Sequence, residues 1–225
     1  MAIYQLSVKA IRRSEGGNAK AAAAYRSGTK IGIFDYTHRR GVADRFMALP
    51  PSAPQWNRAE LWEEAERAEK RCNSVVAREV LIALPHEMPL EGRRKAVEGL
   101  VGFLVGRYGV AIDAAIHAPK IGHDERNHHA HILMTTRRLG ANGLGEKTRE
   151  LDDKKTGPLE IEAIREAWAE ILKGFGFDLE HRRQSKAADN YQQIEAFQHG
   201  EPLRPFALLS QAARSAPRRG LALTA

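Results

Sequence analysis

His117-Ala-Pro-Lys-Ile-Gly-His-Asp-Glu-Arg-Asn-His-His129-Ala-His131-Ile-Leu-Met-Thr-Thr-Arg137-Arg138 carries five of the nine histidines in a chain of 225 residues. The run Ile132-Leu-Met-Thr-Thr136 has the apolar and β-branched character of a strand. Side chains two apart on a strand point to the same face, so His129 and His131 can approach one ion together. Upstream, Val110-Ala-Ile-Asp-Ala-Ala-Ile-His117 is a second strand-like run that ends on a third histidine just before Pro119. Residues 118–127, with Pro119, Gly122 and Asn127, are loop-like and long enough to lay the two strands side by side. The three imidazoles then cluster at one end. A lone histidine on a strand is usually a packed or solvated residue, but the His-x-His pair with His117 on a neighbouring strand outweighs that reading. Neutral imidazole suits zinc, manganese, iron, nickel or copper. The only cysteine is Cys72, which argues against a closed structural zinc. Three protein ligands leave positions open, as at a catalytic ion.

Outward from this stretch, the pattern alternates between strand and helix periods. Residues 2–8 alternate with Tyr4, Leu6 and Val8 on one face, and Ile11–Asn18 reads as a basic, glycine-bearing turn. Asn18 is placed to cap a helix through the alanine run 19–24 to Tyr25, which Gly28 ends. Residues 30–34 and 42–49 suggest a hairpin with Tyr36-Thr-His-Arg-Arg40-Gly41 at its tip. A helix is expected over 56–72 with Leu61, Ala65, Ala68 and Cys72 on one stripe. A strand over 75–84 follows, with Glu79 an acid inside an apolar run, and then a helix over 90–108. Residues 139–156 are glycine-containing and charged and read as a mobile loop. A last helix spans about 159–175. The order predicts an α/β fold, a mainly antiparallel central sheet flanked by helices, rather than a doubly wound parallel sheet. One domain is expected over 1–183, followed by a divergent basic tail over 184–225, disordered or partly helical.

The formal net charge of +7 is compatible with a polyanionic partner. No run of about 20 apolar residues is present to span a membrane, and the start lacks the pattern of a signal peptide. With one cysteine there is no intrachain disulfide, so a cytoplasmic location is expected. Between Lys9 and Lys30 stand Lys9, Arg12, Arg13, Lys20, Arg26 and Lys30 against one acid, Glu15. Tyr25 sits in this basic setting, where a tyrosine is more often a packing residue than a nucleophile.

Three stretches together change that assessment. Asn18-Ala-Lys-Ala-Ala-Ala-Ala-Tyr25-Arg-Ser-Gly28, Ala-Ile-His117-Ala-Pro and Asp124-Glu-Arg-Asn-His-His129-Ala-His131 resemble the MobA/MobL relaxases, DNA-mobilisation nucleases of the HUH superfamily. The opening Ala2-Ile-Tyr-Gln-Leu-Ser-Val-Lys9, Arg78-Glu-Val-Leu-Ile-Ala-Leu-Pro85 and Leu151-Asp-Asp-Lys-Lys-Thr-Gly-Pro158 extend the resemblance over residues 2–183. It implies nicking of one strand at a transfer origin by a tyrosine, which leaves a 5′-phosphotyrosyl bond and a free 3′-hydroxyl. On this reading Tyr25 is the nucleophile, and His117, His129 and His131 hold a divalent ion, Mn²⁺ or Mg²⁺. Glu79 is the candidate to orient a metal-binding histidine by accepting its second N–H; Asp113 is the competitor. Lys20, Arg26, Arg137 and Arg138 are the candidate nucleic-acid contacts. The partners implied are single-stranded origin DNA, other relaxosome proteins and type IV secretion or coupling proteins, without a membrane. His128 should face away from His129 and His131, and His123 belongs to the loop.

The chain departs from the family's pattern at the hairpin between Gly28 and Pro50, which is short, and at Leu179–Ser185, which matches only in part. It contains no Gly-x-x-x-x-Gly-Lys-Ser/Thr loop. Three other readings compete. A rolling-circle replication initiator shares the histidine pair but usually carries its tyrosine after it. A metal-dependent hydrolase of a small substrate is disfavoured by the basic charge. A catalytically impaired DNA-binding remnant is opposed by the intact triad and Tyr25.

Overall fold

The computed structural model describes residues 5–120, 122 and 124–177. The central sheet is built of β1 (Leu6–Arg12), β4 (Val42–Ala48), β5 (Val75–Ala83), β6 (Val110–His117), β7 (His129–Gly140) and β8 (Gly143–Lys147). Its order is β1-β5-β7-β6-β4, with β8 paired to the far end of β7, and every neighbouring pair is antiparallel. Helices α1 (Ala19–Ser27) and α2 (Arg58–Ala68) cover one face; α3 (Leu90–Tyr108) and α4 (Gly157–Gly174) cover the other. The expected α/β architecture with a mainly antiparallel sheet is the one found.

β5, β6 and most of β7 are buried on both faces, so they read as continuous apolar runs rather than alternating ones. Alternation survives in what each face touches. Val80, Ile82, Ile112, Ile132 and Met134 meet Leu100, Leu104 and Trp168 of α3 and α4. Ala77, Ala111 and Leu133 meet the alanines of α1 and Leu61 and Trp62 of α2. At roughly 25 cal/mol per Å² of apolar surface removed from water, these two layers supply most of the driving force for folding.

Several expectations shift. β1 continues to Arg12, past the expected end at residue 8, and residues 2–4 lie outside the described ones. The hairpin expected over 30–49 is instead a tight one: β2 (Lys30–Ile31) pairs only with β3 (Phe34–Asp35) across Gly32 at φ 58°. β4 joins the main sheet beside β6, because its side chains pack to both layers, Phe46 and Ala48 to one and Met47 to the other. The stretch expected to be a mobile loop contains β8, hydrogen-bonded to β7, and a 3-10 turn at Arg149–Leu151. Cys72, expected on the buried stripe of α2, lies beyond that helix and is exposed. The boundary at residue 183, His123 and the tail lie outside the described residues.

Candidate active site

The register of the two central strands assembles the histidines. His117 of β6 lies directly opposite His129 of β7, and His131 lies opposite Ala115. Two residues make one strand repeat, so the three side chains project from the same face. Their ring centroids are 4.7 Å (His117–His131) and 5.2 Å (the other two pairs) apart. One ligand nitrogen from each lies within 4.8 Å of the others.

All three rings are buried, and each has one nitrogen against an oxygen that can only accept. His117 Nε2 donates to the Arg26 carbonyl (2.7 Å), His129 Nδ1 to the Asn127 carbonyl (3.1 Å) and His131 Nδ1 to Glu79 Oε1 (2.6 Å). In a neutral imidazole the other nitrogen then carries the lone pair. Burial first, and then the neighbouring His131, push His117 down to about 3. Burial and the other two rings hold His129 well below the usual histidine range. Burial also lowers His131, although Glu79 pulls in the opposite direction. Three neutral, buried imidazoles that each bring a nitrogen within 4.8 Å of the others fit a divalent ion, since a metal needs the deprotonated imidazole.

Glu79 completes the inner arrangement. It sits on β5, where Leu81 is the register partner of His131, so its side chain shares the histidine face. Burial alone would raise its carboxyl, but the Arg26 guanidinium and hydrogen bonds from Arg26 and His131 outweigh this and hold it well below the usual range. Arg26 grips it twice, Nε on Oε1 and Nη2 on Oε2 at 2.8 Å. Asp113, the competitor, is occupied elsewhere, accepting from Arg58 Nε (2.8 Å) and Trp62 Nε1 (3.0 Å).

Tyr25 reaches the same place from the other layer. Ala19, Ala22, Ala23 and Ala24 of α1 are buried, and side chains this small let the helix backbone come close to the sheet. Asn18 caps the start, accepting from the Ala21 N–H, and Gly28 ends the helix at φ 60°. Tyr25, 47% exposed, lines a cleft of about 470 Å³ with His117, His129 and His131.

The remaining candidates separate. Arg26 is paired with Glu79 and is not among the residues that line the cleft. Lys20 stands beside Gly32 and does not line the cleft. Arg137 and Arg138 lie six and seven residues beyond His131, roughly 20 Å along the strand. Arg137 binds Glu69 and the Gly145 carbonyl, and Arg138 binds Glu150 and the Tyr108 carbonyl. His128 is turned to Arg93, with its Nδ1 2.9 Å from Nη1. The cleft also recruits Tyr36, His38, Arg39 and Arg40. These were visible only as the basic, aromatic tip of the expected hairpin. Asn127 was visible only as a loop residue.

Among known proteins, the MobA/MobL family model matches residues 18–201. The mobilization protein MobL of Acidithiobacillus ferridurans is 34% identical, with 91% of this chain and 61% of that protein aligned. A probable conjugal transfer protein TraA of Sinorhizobium fredii is 28% identical over 78% of this chain and 17% of that protein. This chain therefore spans less than two thirds of the length of either relative. A solved structure described as the molecular basis of vancomycin resistance transfer in Staphylococcus aureus superposes with a TM-score of 0.68 at 26% identity, over 82% of this chain and all of that one. With the family model matching most of its length and the fold shared with that structure, the chain belongs to the MobA/MobL family.

Proposed function

We propose that this protein is a plasmid mobilisation relaxase that nicks one DNA strand at a transfer origin through Tyr25. One observation carries the reading: an exposed tyrosine on a capped, alanine-packed helix opens onto the same cleft as three buried, neutral histidines. The relatives' names, a mobilization protein and a conjugal transfer protein, support the same process.

In the proposed step the Tyr25 phenolic oxygen attacks the scissile phosphorus, and the bond from phosphorus to the 3′ oxygen breaks as the new ester forms. The phenolic proton passes to solvent and the departing 3′ oxygen takes up a proton. No water is consumed, so the 5′-phosphotyrosyl link can be reversed to rejoin the strand. A divalent ion, expected to be Mn²⁺ or Mg²⁺, would be held by His117, His129 and His131 and would offset charge on the phosphate oxygens. Glu79 fixes the tautomer and orientation of His131, and Arg26 neutralises Glu79. Lys20, Arg137 and Arg138 are proposed phosphate-backbone contacts. Relaxosome and secretion-coupling proteins are the proposed partners. None of the described helices is long and apolar enough to cross a membrane.

The test is a denaturing gel with single-stranded DNA from candidate transfer origins, with and without manganese or magnesium. A covalent protein–DNA adduct that needs the metal and disappears in Tyr25→Phe is expected. DNA retained without cleavage would make the protein a binding remnant, and a free 5′-phosphate without adduct would make it a hydrolase.

A further inference from the structure

An α-helix leaves its last four carbonyls without partners inside the helix. In α1 each of the four is taken by a different device. The Ala24 carbonyl accepts from the Gly28 and Thr29 N–H groups, the Arg26 carbonyl from His117 and the Ser27 carbonyl from Arg45 Nη1 (2.7 Å). The Tyr25 carbonyl accepts from Arg39 Nη1 at 2.9 Å. The same guanidinium lies over the Tyr25 ring, its carbon 3.5 Å from the centroid. One side chain therefore grips Tyr25 by both main chain and ring.

Arg39 is itself held. Its N–H donates to the Tyr36 carbonyl (3.0 Å), and two residues on the Gly41 carbonyl accepts from Ala118 N–H (2.8 Å), just after the metal strand. Tyr36 meets the Tyr25 ring edge-on, with centroids 5.3 Å apart. Among the described residues no carboxylate pairs with Arg39, whereas Arg26, the cation nearest in sequence to Tyr25, is engaged with Glu79. Arg39 also lines the histidine cleft.

We infer that Arg39 is the positioning residue of the nucleophile: it fixes the Tyr25 ring toward the histidine cleft and sets a positive charge against it. The inference rests on Tyr25 being the nucleophile proposed above. The reason is physical. A cation on the ring face favours negative charge developing on the phenol oxygen, and a ring clamped in place attacks from one direction. Arg39 transfers no proton, since a guanidinium stays protonated.

The experiment compares wild type, Arg39→Gln and Arg39→Lys in single-turnover adduct formation with origin DNA and manganese, alongside DNA affinity, manganese affinity and thermal midpoint. At saturating DNA, Arg39→Gln should form adduct roughly tenfold or more slowly, with both affinities within about threefold of wild type. Arg39→Lys, which keeps the charge without the planar fork, should recover part of that rate. A loss below about fivefold, or one confined to DNA affinity, overturns the inference. So does a lysine variant no faster than the glutamine one. If Arg39→Gln does not fold, Arg39→Lys decides alone, and a rate within about twofold of wild type overturns the inference. Wild-type protein that binds origin DNA with metal and forms no adduct removes the nucleophile itself, and the Arg39 role with it. An adduct formed equally by wild type and Arg39→Gln removes only Arg39.

Discussion

Glu79 is a charged side chain only 4% exposed, and its value lies in what it prevents. Without a carboxylate there, His131 Nδ1 has no strong acceptor and the Arg26 guanidinium loses its two-point contact with Glu79. Glu79→Gln keeps the shape and one acceptor oxygen but replaces the other oxygen with a donor facing Arg26 Nη2. Manganese affinity measured by calorimetry should fall roughly 10- to 100-fold, the usual effect of losing such a partner behind a metal ligand. The thermal midpoint of the metal-free protein should fall too, by the equivalent of about 2 kcal/mol or more, because breaking a buried ion pair is strongly destabilising. Unchanged metal affinity would leave Glu79 as a fold residue only. In the sequence Glu79 and Asp113 stood as rivals of the same kind. Alternation assigns a face to each, but the side-by-side order β5-β7-β6 that brings Glu79 to His131 is a non-local fact. Arg39 was less legible still. It lies in an irregular segment where no period ties a residue to a face.

At the scale of elements, legibility followed the strength of local signals. α1 could be read from its cap, its alanines and its terminal glycine, and α3 and β6 from long unbroken apolar patterns. β8 could not, since Gly143-Leu-Gly-Glu-Lys147 is polar and glycine-bearing and becomes a strand only because β7 offers it an edge. The tight β2–β3 pair is too short for any period to show. The alanines of α1 do more than favour helix. Ala23 is 1% exposed and Ala24 not at all, so the helix rides close enough for its Arg26 carbonyl to accept from His117. Ala23→Leu adds volume where there is no room. It should cost about 1–3 kcal/mol by overpacking, and adduct formation should fall further than that stability loss explains, because the helix must lift Tyr25 away from the histidines. Thermal melts and adduct yields on the same preparations check this. A yield that falls only in step with the folded fraction would show that the close approach serves packing alone.

Across the whole molecule, the histidine cleft, lined also by Arg39, Arg40 and Lys120, and a second group of cations stand toward opposite ends of β7. The histidine cleft lies where β6 ends and β7 begins. Arg137 and Arg138 lie toward the far end of β7, where Lys147, Arg149, Lys70 and Arg71 line a polar groove with Glu69, Glu146, Glu150 and Asp152. A strand of DNA engaged at both places would cross roughly 20 Å of protein, and the net charge of +7 favours that association at low salt. Binding of origin single strands should therefore weaken steeply with salt, with a slope of about 0.7 for each phosphate neutralised. Arg137 holds the buried Glu69 through a bond of 2.8 Å, whereas Arg138 is exposed, so Arg138→Ala is the cleaner probe of this end. If the strand reaches Arg138, the mutant's slope should drop by about 0.7, the share of one phosphate contact on a single strand. The adduct rate at saturating DNA should then stay unchanged, because the histidine cleft is untouched. An unaltered slope would confine the DNA to the cleft and leave Arg138 to its bonds with Glu150 and the Tyr108 carbonyl. The exposed arginine would then fasten the β7–β8 end of the sheet to the turn before α4, and the charge that draws DNA would have to lie around Tyr25 itself.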